Sequence, residues 1–474
     1  MSNYKKLSKN IVLMVIGQFS SKLLSFILVP LYTYILSTEE YGTFDLITTT
    51  VTLLTPALTL VIFEGVMRFC LDENYNKNEV LTIGLLFTAI GSLLVLLGHP
   101  VFCLVPTLKN NFLWVFLFFL FNNLHNVLTQ YLKAIDRVKL YSICGIISTA
   151  VTLVMNFVFL VVLKWAITGY FIANLSGCIL VCLIISYKIN IFKLIVNPFK
   201  IEKKVYKDIL GYTCPMIPNS ISWWISNSSD KYMISAFASV AVLGIYSVSY
   251  KIPSVLSIVT SIFMSAWQIS AVENFGTEES KAFYSDIYKS FSSCIILVAS
   301  TLIFLSKYTA YFLFQKDFFS AWKVSMILIM AFIFNSISAL LGSVYTSSKK
   351  TKMLFYSTLL AAISNIVLNF LLIPFYGMYG AAYATLISYV LVWIVRLIDI
   401  RKSYYFEINL KTDIFCYILC LIMVVLLSTE KSISVIISAV LLIVIYVLHL
   451  KLLVKTNVFK KIKSKLNFRR TKNV

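Results

Sequence analysis

Two lysines lie deep inside long apolar segments of this sequence, where a charged side chain is costly and therefore points to a binding pathway. Lys22 lies about twelve residues into the first apolar segment, or roughly 18 Å along a helix, and Lys251 lies about eleven residues into the eighth. Gln18 lies one helical turn from Lys22, on the same face. An ammonium group that faces a water-filled cavity can bind a diphosphate as a mobile point charge. Alternatively, each lysine is neutralised by burial or paired with an internal acid, and serves only helix packing.

Charged residues of the second and seventh apolar segments have spacings that suit ion pairs. Glu64 and Arg68 are spaced i,i+4, so a structural pair near the membrane interface is one interpretation. In the other, Arg68 contacts an incoming diphosphate, while Glu64 or Asp45 binds a coupling proton or cation. An acid in a partly apolar cavity holds its proton more tightly, as a proton carrier requires. The neighbours Asp230 and Lys231 indicate an ion pair at a helix end rather than a site.

The fourth apolar segment contains polar side chains at spacings of three and four residues, which places them on one helix face. They are Asn122, Asn126, Thr129, Gln130 and Lys133, with His125 beside them as a structural residue. The wall of a water-filled cavity accepts such a stripe, whereas a lipid-facing surface does not. Hydrogen bonding between helices is the alternative interpretation.

The seventh apolar segment is interrupted by Pro215 and Pro218, which remove helical hydrogen bonds and predict a kink. A kinked helix would suit a gate. Trp223 or Trp224, which follow, can stack on a sugar or belong to the aromatic belt at a membrane interface.

The segments that position these residues are long and apolar. The chain has 474 residues, of which 59% are hydrophobic and 13% are charged, and a typical soluble protein has about twice that share of charge. One membrane-spanning helix needs about 20 apolar residues. The sequence therefore predicts an all-α polytopic membrane protein with about 14 transmembrane helices, and excludes a soluble or a disordered chain. The predicted spans are 10–36, 42–66, 80–105, 112–132, 140–163, 166–187, 209–229, 240–265, 288–306, 324–346, 353–373, 378–398, 410–428 and 432–450.

Basic residues orient these spans, because cytoplasmic loops are enriched in Lys and Arg. With the N-terminus in the cytoplasm, about 32 of the 41 Lys and Arg lie on the cytoplasmic side and about seven lie outside. Both termini are therefore predicted to be cytoplasmic. The segments Lys188–Lys207 and Lys451–Lys472 are strongly basic and adjoin the membrane. Anionic lipid headgroups are their expected partner, and no nucleic-acid partner is expected because no nucleic-acid-binding fold accompanies the charge.

The sequence contains a short internal repeat, which we call the first echo. Residues 40–44 link the first two spans and residues 242–246 link the seventh and eighth, at an offset of 202 residues. In each case a glycine beside an aromatic residue, Gly42 or Gly244, opens the next helix.

A second echo relates Asn156 and Gly169 to Asn369 and Gly380. Together the echoes predict two pseudo-symmetric six-helix lobes in parallel orientation, followed by two further helices, as in many secondary transporters. The predicted domains are an N-lobe at 1–208 that includes the basic linker, a C-lobe at 209–400, and a last part at 401–474 with spans 13 and 14 and the basic tail.

Several segments resemble the polysaccharide-transport branch of the MOP (multidrug/oligosaccharidyl-lipid/polysaccharide) exporter superfamily, and above all its Wzx-type flippases for O-antigen or capsule repeat units. The resembling segments are Ser37–Gly42, Leu132–Arg137, Ser229–Tyr232, Leu243–Tyr246 with Lys251, and Asn365–Pro374 with Gly377–Ala382. Lys231 is a departure, because the family often has Arg after this Asp. The resemblance implies transport of a lipid-linked sugar across the bacterial cytoplasmic membrane, by alternating exposure of a cavity between two lobes.

The first functional hypothesis is a flippase for a polyprenyl-diphosphate-linked oligosaccharide, with Lys22, Lys251 and Arg68 on the diphosphate. A MATE-like multidrug or cation antiporter is the alternative, but cationic drugs favour an acidic cavity, and Lys22 and Lys251 make this one basic. A membrane glycan polymerase or transferase is disfavoured, since the outer loops are short and hold no paired carboxylates or His cluster. We therefore expect that the protein is not an enzyme and that it binds no metal and no cofactor. Coupling to a proton or sodium gradient is left open. A glycan polymerase or glycosyltransferases are further partners to consider.

Overall fold

The computed structural model describes residues 26–273, 280–348, 351–403 and 407–456. These ranges contain helices and no strand, which confirms the predicted all-α class. The α-helices are α1 (Val29–Ile35), α2 (Thr38–Leu58), α3 (Ile62–Cys70), α4 (Lys77–Leu97), α5 (His99–Phe102), α6 (Pro106–Asn110), α7 (Phe112–Ala134), α8 (Val138–Asn156), α9 (Ala166–Ile189), α10 (Ile191–Leu194), α11 (Lys203–Thr213), α12 (Ile217–Phe237), α13 (Val240–Ser249), α14 (Ser254–Glu273), α15 (Ser280–Leu313), α16 (Ala321–Ser347), α17 (Thr351–Tyr376), α18 (Met378–Ser403), α19 (Leu410–Ser428) and α20 (Ser432–Lys455). A π-helical turn, Phe157–Val162, continues α8.

The helices match the predicted spans closely. Within the described ranges, ten helices are long and apolar enough to cross a membrane, and two bent helix pairs raise the number to as many as twelve. α12 occupies the predicted seventh span, although its polar side chains keep it outside that set. Most of the first predicted span, including Gln18 and Lys22, lies outside the described residues. The prediction of about 14 spans is consistent with this arrangement.

Both bent pairs break inside a predicted span. α2 and α3 meet at a bend of 58°, and Leu60 and Val61 between them adopt the left-handed backbone region, with φ of 53° and 54°. α13 and α14 meet at a bend of 47°, next to Pro253, which lacks the N–H that a continuous helix would use. The Ser325 hydroxyl donates to the Ser249 carbonyl at 2.8 Å. This bond satisfies a backbone group that the second break leaves without a helical partner.

The chain divides into two compact units, which are Met1–Ser235 with Ser239–Gly244, and Ala236–Ala238 with Ile245–Val474. In the first unit, an apolar core lies where α3, α4, α7, α9 and α11 meet. In the second, α16 is buried along its whole length, because α14, α15, α17, α18 and α19 pack around it. The predicted lobes at 1–208 and 209–400 stay a prediction.

The first unit contains a reciprocal backbone contact at the two glycines of the first echo. A Cβ atom on Gly42 would overlap the carbonyl oxygen of Val240, and a Cβ atom on Gly244 would overlap that of Thr38. Val240 follows Thr38 by the same 202 residues that separate the two glycines. Each of the two repeated segments therefore contacts the other through the same pair of equivalent positions. Such an isologous contact indicates a local two-fold axis, and only residues without a side chain allow the two backbones to approach this closely.

Candidate functional site

An ion pair joins α2 to α12 inside the first unit. A capping box formed by Ser37 and Glu40 begins α2, and Asp45 follows about two turns later. The Lys231 ammonium lies 3.0 Å from both carboxylate oxygens of Asp45, and the two side chains are only 21% and 17% exposed. The expected pairing of Asp230 with the Lys231 ammonium is therefore wrong. Asp230 instead accepts the backbone N–H of Lys231 at 2.9 Å, which is a local bond that its position in the sequence favours.

Further polar contacts join α2 to α12, and together with the ion pair they form what we call the seam between these helices. The Trp224 indole N–H donates to the Thr49 carbonyl at 3.0 Å and to the Thr52 hydroxyl at 3.2 Å. The hydroxyl groups of Tyr232 and Thr50 are also hydrogen-bonded to each other. Of the two candidate sugar-stacking residues, Trp224 thus holds two helices together, whereas Trp223 is exposed.

A second group of predicted site residues lies where the last turn of α7 approaches the first turn of α3. The Lys133 ammonium donates to the Gln130 amide oxygen at 3.3 Å and lies 4.6 Å from the centre of the Tyr141 ring, a cation–π geometry. Glu64 lies within electrostatic range of Lys133. The structure therefore joins Gln130 and Lys133 by a hydrogen bond, with Glu64 in their neighbourhood.

Arg68 does not form the expected ion pair with Glu64. Its guanidinium lies 4.0 Å from the Asp72 carboxylate, one turn further along the chain, and the Arg68 side chain is 56% exposed. An exposed pair at this distance is weak. Arg68 is consequently accessible to a soluble anion or to an anionic headgroup. An arginine inside a buried ion pair would not be accessible to either.

The residues of the polar stripe on α7 differ in burial and in hydrogen bonding. Thr129 is buried and donates to the His125 carbonyl at 2.7 Å. Asn122 and Asn126 are half-buried, and among the described residues no hydrogen bond of either amide group is found. Helix-to-helix hydrogen bonding therefore does not explain these two amides, and the cavity-lining interpretation is favoured for them.

Lys251 lies at the break between α13 and α14, rather than within a continuous helix as the sequence suggested. Its side chain is half-buried, its N–H donates to the Val248 carbonyl at 2.9 Å, and its own carbonyl accepts the Ser254 hydroxyl at 2.6 Å. Because α14 begins at Ser254, Lys251 precedes the positive end of a helix dipole. The ammonium group and the helix end each favour negative charge.

Sequence analysis missed two buried charged residues of the second unit. Arg396, on α18, donates to the Ser338 carbonyl at 2.8 Å, the Ser357 hydroxyl at 2.9 Å and the Thr358 hydroxyl at 3.0 Å. Asp413, in the first turn of α19, is fully buried. Both lie close to the ends of the predicted spans 378–398 and 410–428. The available signal was the position of each residue inside a predicted span, with apolar neighbours on both sides of Arg396 and after Asp413.

Residues 7–268, more than half of the chain, match the protein family described as polysaccharide biosynthesis protein. A solved structure described as lipid II flippase MurJ, in an inward closed conformation, is 18% identical, with 92% of this chain and 98% of that chain covered and a TM-score of 0.70. An inward-facing multidrug resistance MATE family transporter of the MOP superfamily is 12% identical, with 82% and 99% covered and a TM-score of 0.64. An outward-facing structure of a MATE family transporter is 13% identical, with 83% and 94% covered and a TM-score of 0.57.

No curated protein matches the sequence. At identities of 12 to 18%, the similarity to solved structures establishes the fold alone. That fold is the one shared by MurJ and the MATE transporters of the MOP superfamily.

Proposed function

The chain belongs to the polysaccharide biosynthesis protein family, and on that premise we propose that it is a flippase for a polyprenyl-diphosphate-linked oligosaccharide. It moves this substrate from the cytoplasmic to the outer leaflet of the bacterial cytoplasmic membrane, by alternating access of a basic cavity. The class resembled most is the Wzx-type flippase for O-antigen or capsule repeat units. The fold shared with a lipid II flippase supports a lipid-linked glycan over a free sugar.

The position of Lys251 is the observation that carries the proposal. A break in a membrane-spanning helix, with a lysine before the positive end of the next half-helix, is suited to an anionic group of a substrate. A cationic drug would be repelled there. In this proposal Lys22, Lys251 and Arg68 bind the diphosphate, and the polar groups Asn122 and Asn126 contact the glycan, as Gln18, Gln130, Lys133 and Trp223 also do.

Membrane lipids are the second proposed partner, at the basic segment Lys188–Lys207. Phe192 and Phe199 are the most exposed aromatic side chains of this segment, at 89% and 98%, and Lys193 and Lys200 follow them directly. Aromatic and basic side chains side by side are typical of a surface that rests on anionic headgroups. No cofactor is proposed, and a proton or sodium gradient is the proposed energy source.

Deletion of the gene followed by lipid analysis tests the substrate class. We expect the deletion strain to accumulate a diphosphate-linked glycan on the cytoplasmic leaflet, where an enzyme added to inverted vesicles can cleave it. Unchanged lipids together with raised drug sensitivity would instead favour the multidrug antiporter.

Substitution of Lys251 tests the binding geometry. Lys251→Ala should abolish complementation of the deletion at normal protein abundance, and Lys251→Arg should retain part of it, because charge matters more than shape. Lys164→Ala, in the turn between α8 and α9, is the matched control and should complement fully. Full complementation by Lys251→Ala would contradict the proposed contact with the diphosphate.

A further inference from the structure

Asp413 is a fully buried acid on α19, inside the second unit. Neither of its carboxylate oxygens has a donor in well-formed hydrogen-bond geometry. The Tyr288 hydroxyl, on α15, lies close to the carboxyl group. An ionised carboxylate in such a place would have lost its hydration without any cation or set of donors in exchange, so the neutral acid is the form that the packing accepts.

The walls around Asp413 are aromatic. Tyr288 of α15, Trp393 of α18 and Tyr417 of α19 itself are all at least nine-tenths buried. The rings of Trp393 and Tyr417 lie 5.8 Å apart, edge to face, and both pack on Phe334 of α16, at 5.3 Å and 4.9 Å. Three polar atoms, the Tyr288 and Tyr417 hydroxyls and the Trp393 indole nitrogen, thus accompany the carboxyl group in an otherwise apolar enclosure.

Three basic side chains of the surrounding helices are engaged elsewhere. On α15, Lys289 forms an ion pair with Glu407 at 3.1 Å. On α18, Arg396 donates to Ser338, Ser357 and the neighbouring Thr358 hydroxyl. On α20, His449 is hydrogen-bonded to Ser293 at 3.0 Å. On α19 itself, Cys416 and Tyr417 are titratable neighbours, and Lys411, two residues before Asp413, is exposed. Among the described residues, therefore, no basic group neutralises Asp413, and a proton is what remains to do so.

We propose that Asp413, with Tyr288, Tyr417 and Trp393 around it, is a proton-binding site that couples protonation to the packing of α19 against α15 and α18. A hydronium ion of the solvent transfers its proton to one carboxylate oxygen and leaves as water. Release returns the proton to a water molecule and leaves an anion that the aromatic enclosure cannot solvate. The deprotonated form therefore favours a conformation in which α19 separates from its neighbours and water reaches the carboxylate. The site itself stands independently of the substrate, whereas its role in driving transport rests on the proposed flippase function.

Infrared spectroscopy of the full chain in lipid nanodiscs tests the site without any transport measurement. At neutral pH we expect a carboxylic acid C=O band that shifts in D₂O, is lost in Asp413→Asn and persists in Asp317→Asn, a control acid on the exposed turn before α16. Tyr288→Phe should move the band to higher frequency, because the acid loses its neighbouring hydroxyl. This second variant decides the matter if Asp413→Asn fails to fold.

Absence of the acid band in the wild-type protein at neutral pH would overturn the proposal. Carboxylate bands that change when sodium replaces potassium would also overturn it, since the site would then bind a metal cation. In proteoliposomes, transport by the wild-type protein should depend on the pH gradient, and Asp413→Asn should lose that dependence. If the lipid-linked glycan is not transported at all, the flippase proposal fails while the infrared result still stands.

Discussion

The Asp45–Lys231 pair should contribute measurably to the stability of the first unit. The ammonium reaches both carboxylate oxygens at 3.0 Å, and about four-fifths of each side chain is shielded from solvent. Neutralising one partner removes this contact and leaves the other charge largely buried. We expect Asp45→Asn and Lys231→Met each to destabilise the folded protein.

The magnitude lies between two known limits. Exposed ion pairs contribute about 0.2–1 kcal/mol, and removing one partner of a fully buried pair costs about 3–5 kcal/mol. This pair is about four-fifths buried, so each single substitution should lower the free energy of unfolding by about 2 kcal/mol. A double-mutant cycle should give a coupling energy of about 1–2 kcal/mol. The double variant should be more stable than the sum of the two single effects predicts.

Unfolding by a denaturing detergent in mixed micelles gives the required free energies, with Trp224 as a fluorescent probe in the same seam. Glu39→Gln is the matched control, because Glu39 is exposed and lies on the same helix. The reversed pair, Asp45→Lys with Lys231→Asp, should recover part of the lost stability. A coupling energy indistinguishable from zero, with both single variants as stable as Glu39→Gln, would refute this account of the seam.

Three further predictions follow from other parts of the chain. Gly42→Ala should lower the free energy of unfolding by about 3 kcal/mol or more, and with it the amount of folded protein, because the added Cβ atom meets a backbone carbonyl that cannot move aside. Gly145→Ala is the control. Its added Cβ atom meets nothing within 4 Å, so it should be neutral or stabilising in the same expression assay. Glu430 accepts from two lysine ammonium groups, at 2.7 Å each, which lower its pKa to about 2 from the ordinary 4.5. Its stabilisation should be present above pH 4.5 and lost as the pH falls towards 2, so acid melting curves of Glu430→Gln should lack this component. Reporter fusions at Asn197 should report the cytoplasm, and a periplasmic signal would contradict the proposed orientation.

The sequence predicted the helices well, because the requirement for about 20 apolar residues per span is a local property. It predicted the partners of charged residues poorly. Spacing along one helix suggested Glu64 with Arg68, and adjacency suggested Asp230 with Lys231, whereas the observed ion pairs are Arg68 with Asp72 and Lys231 with Asp45.

Composition, apolar segments and the 202-residue echo were sufficient to predict an all-α membrane protein and to single out Gly42 and Gly244. Only the tertiary structure decided that these two glycines contact each other's helices, that Lys251 lies at a break, and that Asp413 is enclosed by aromatic rings. The physical reason is one of range. Whether a segment is helical and apolar enough to span a membrane depends on its own residues, whereas the surroundings of a charge depend on side chains that lie far away in sequence.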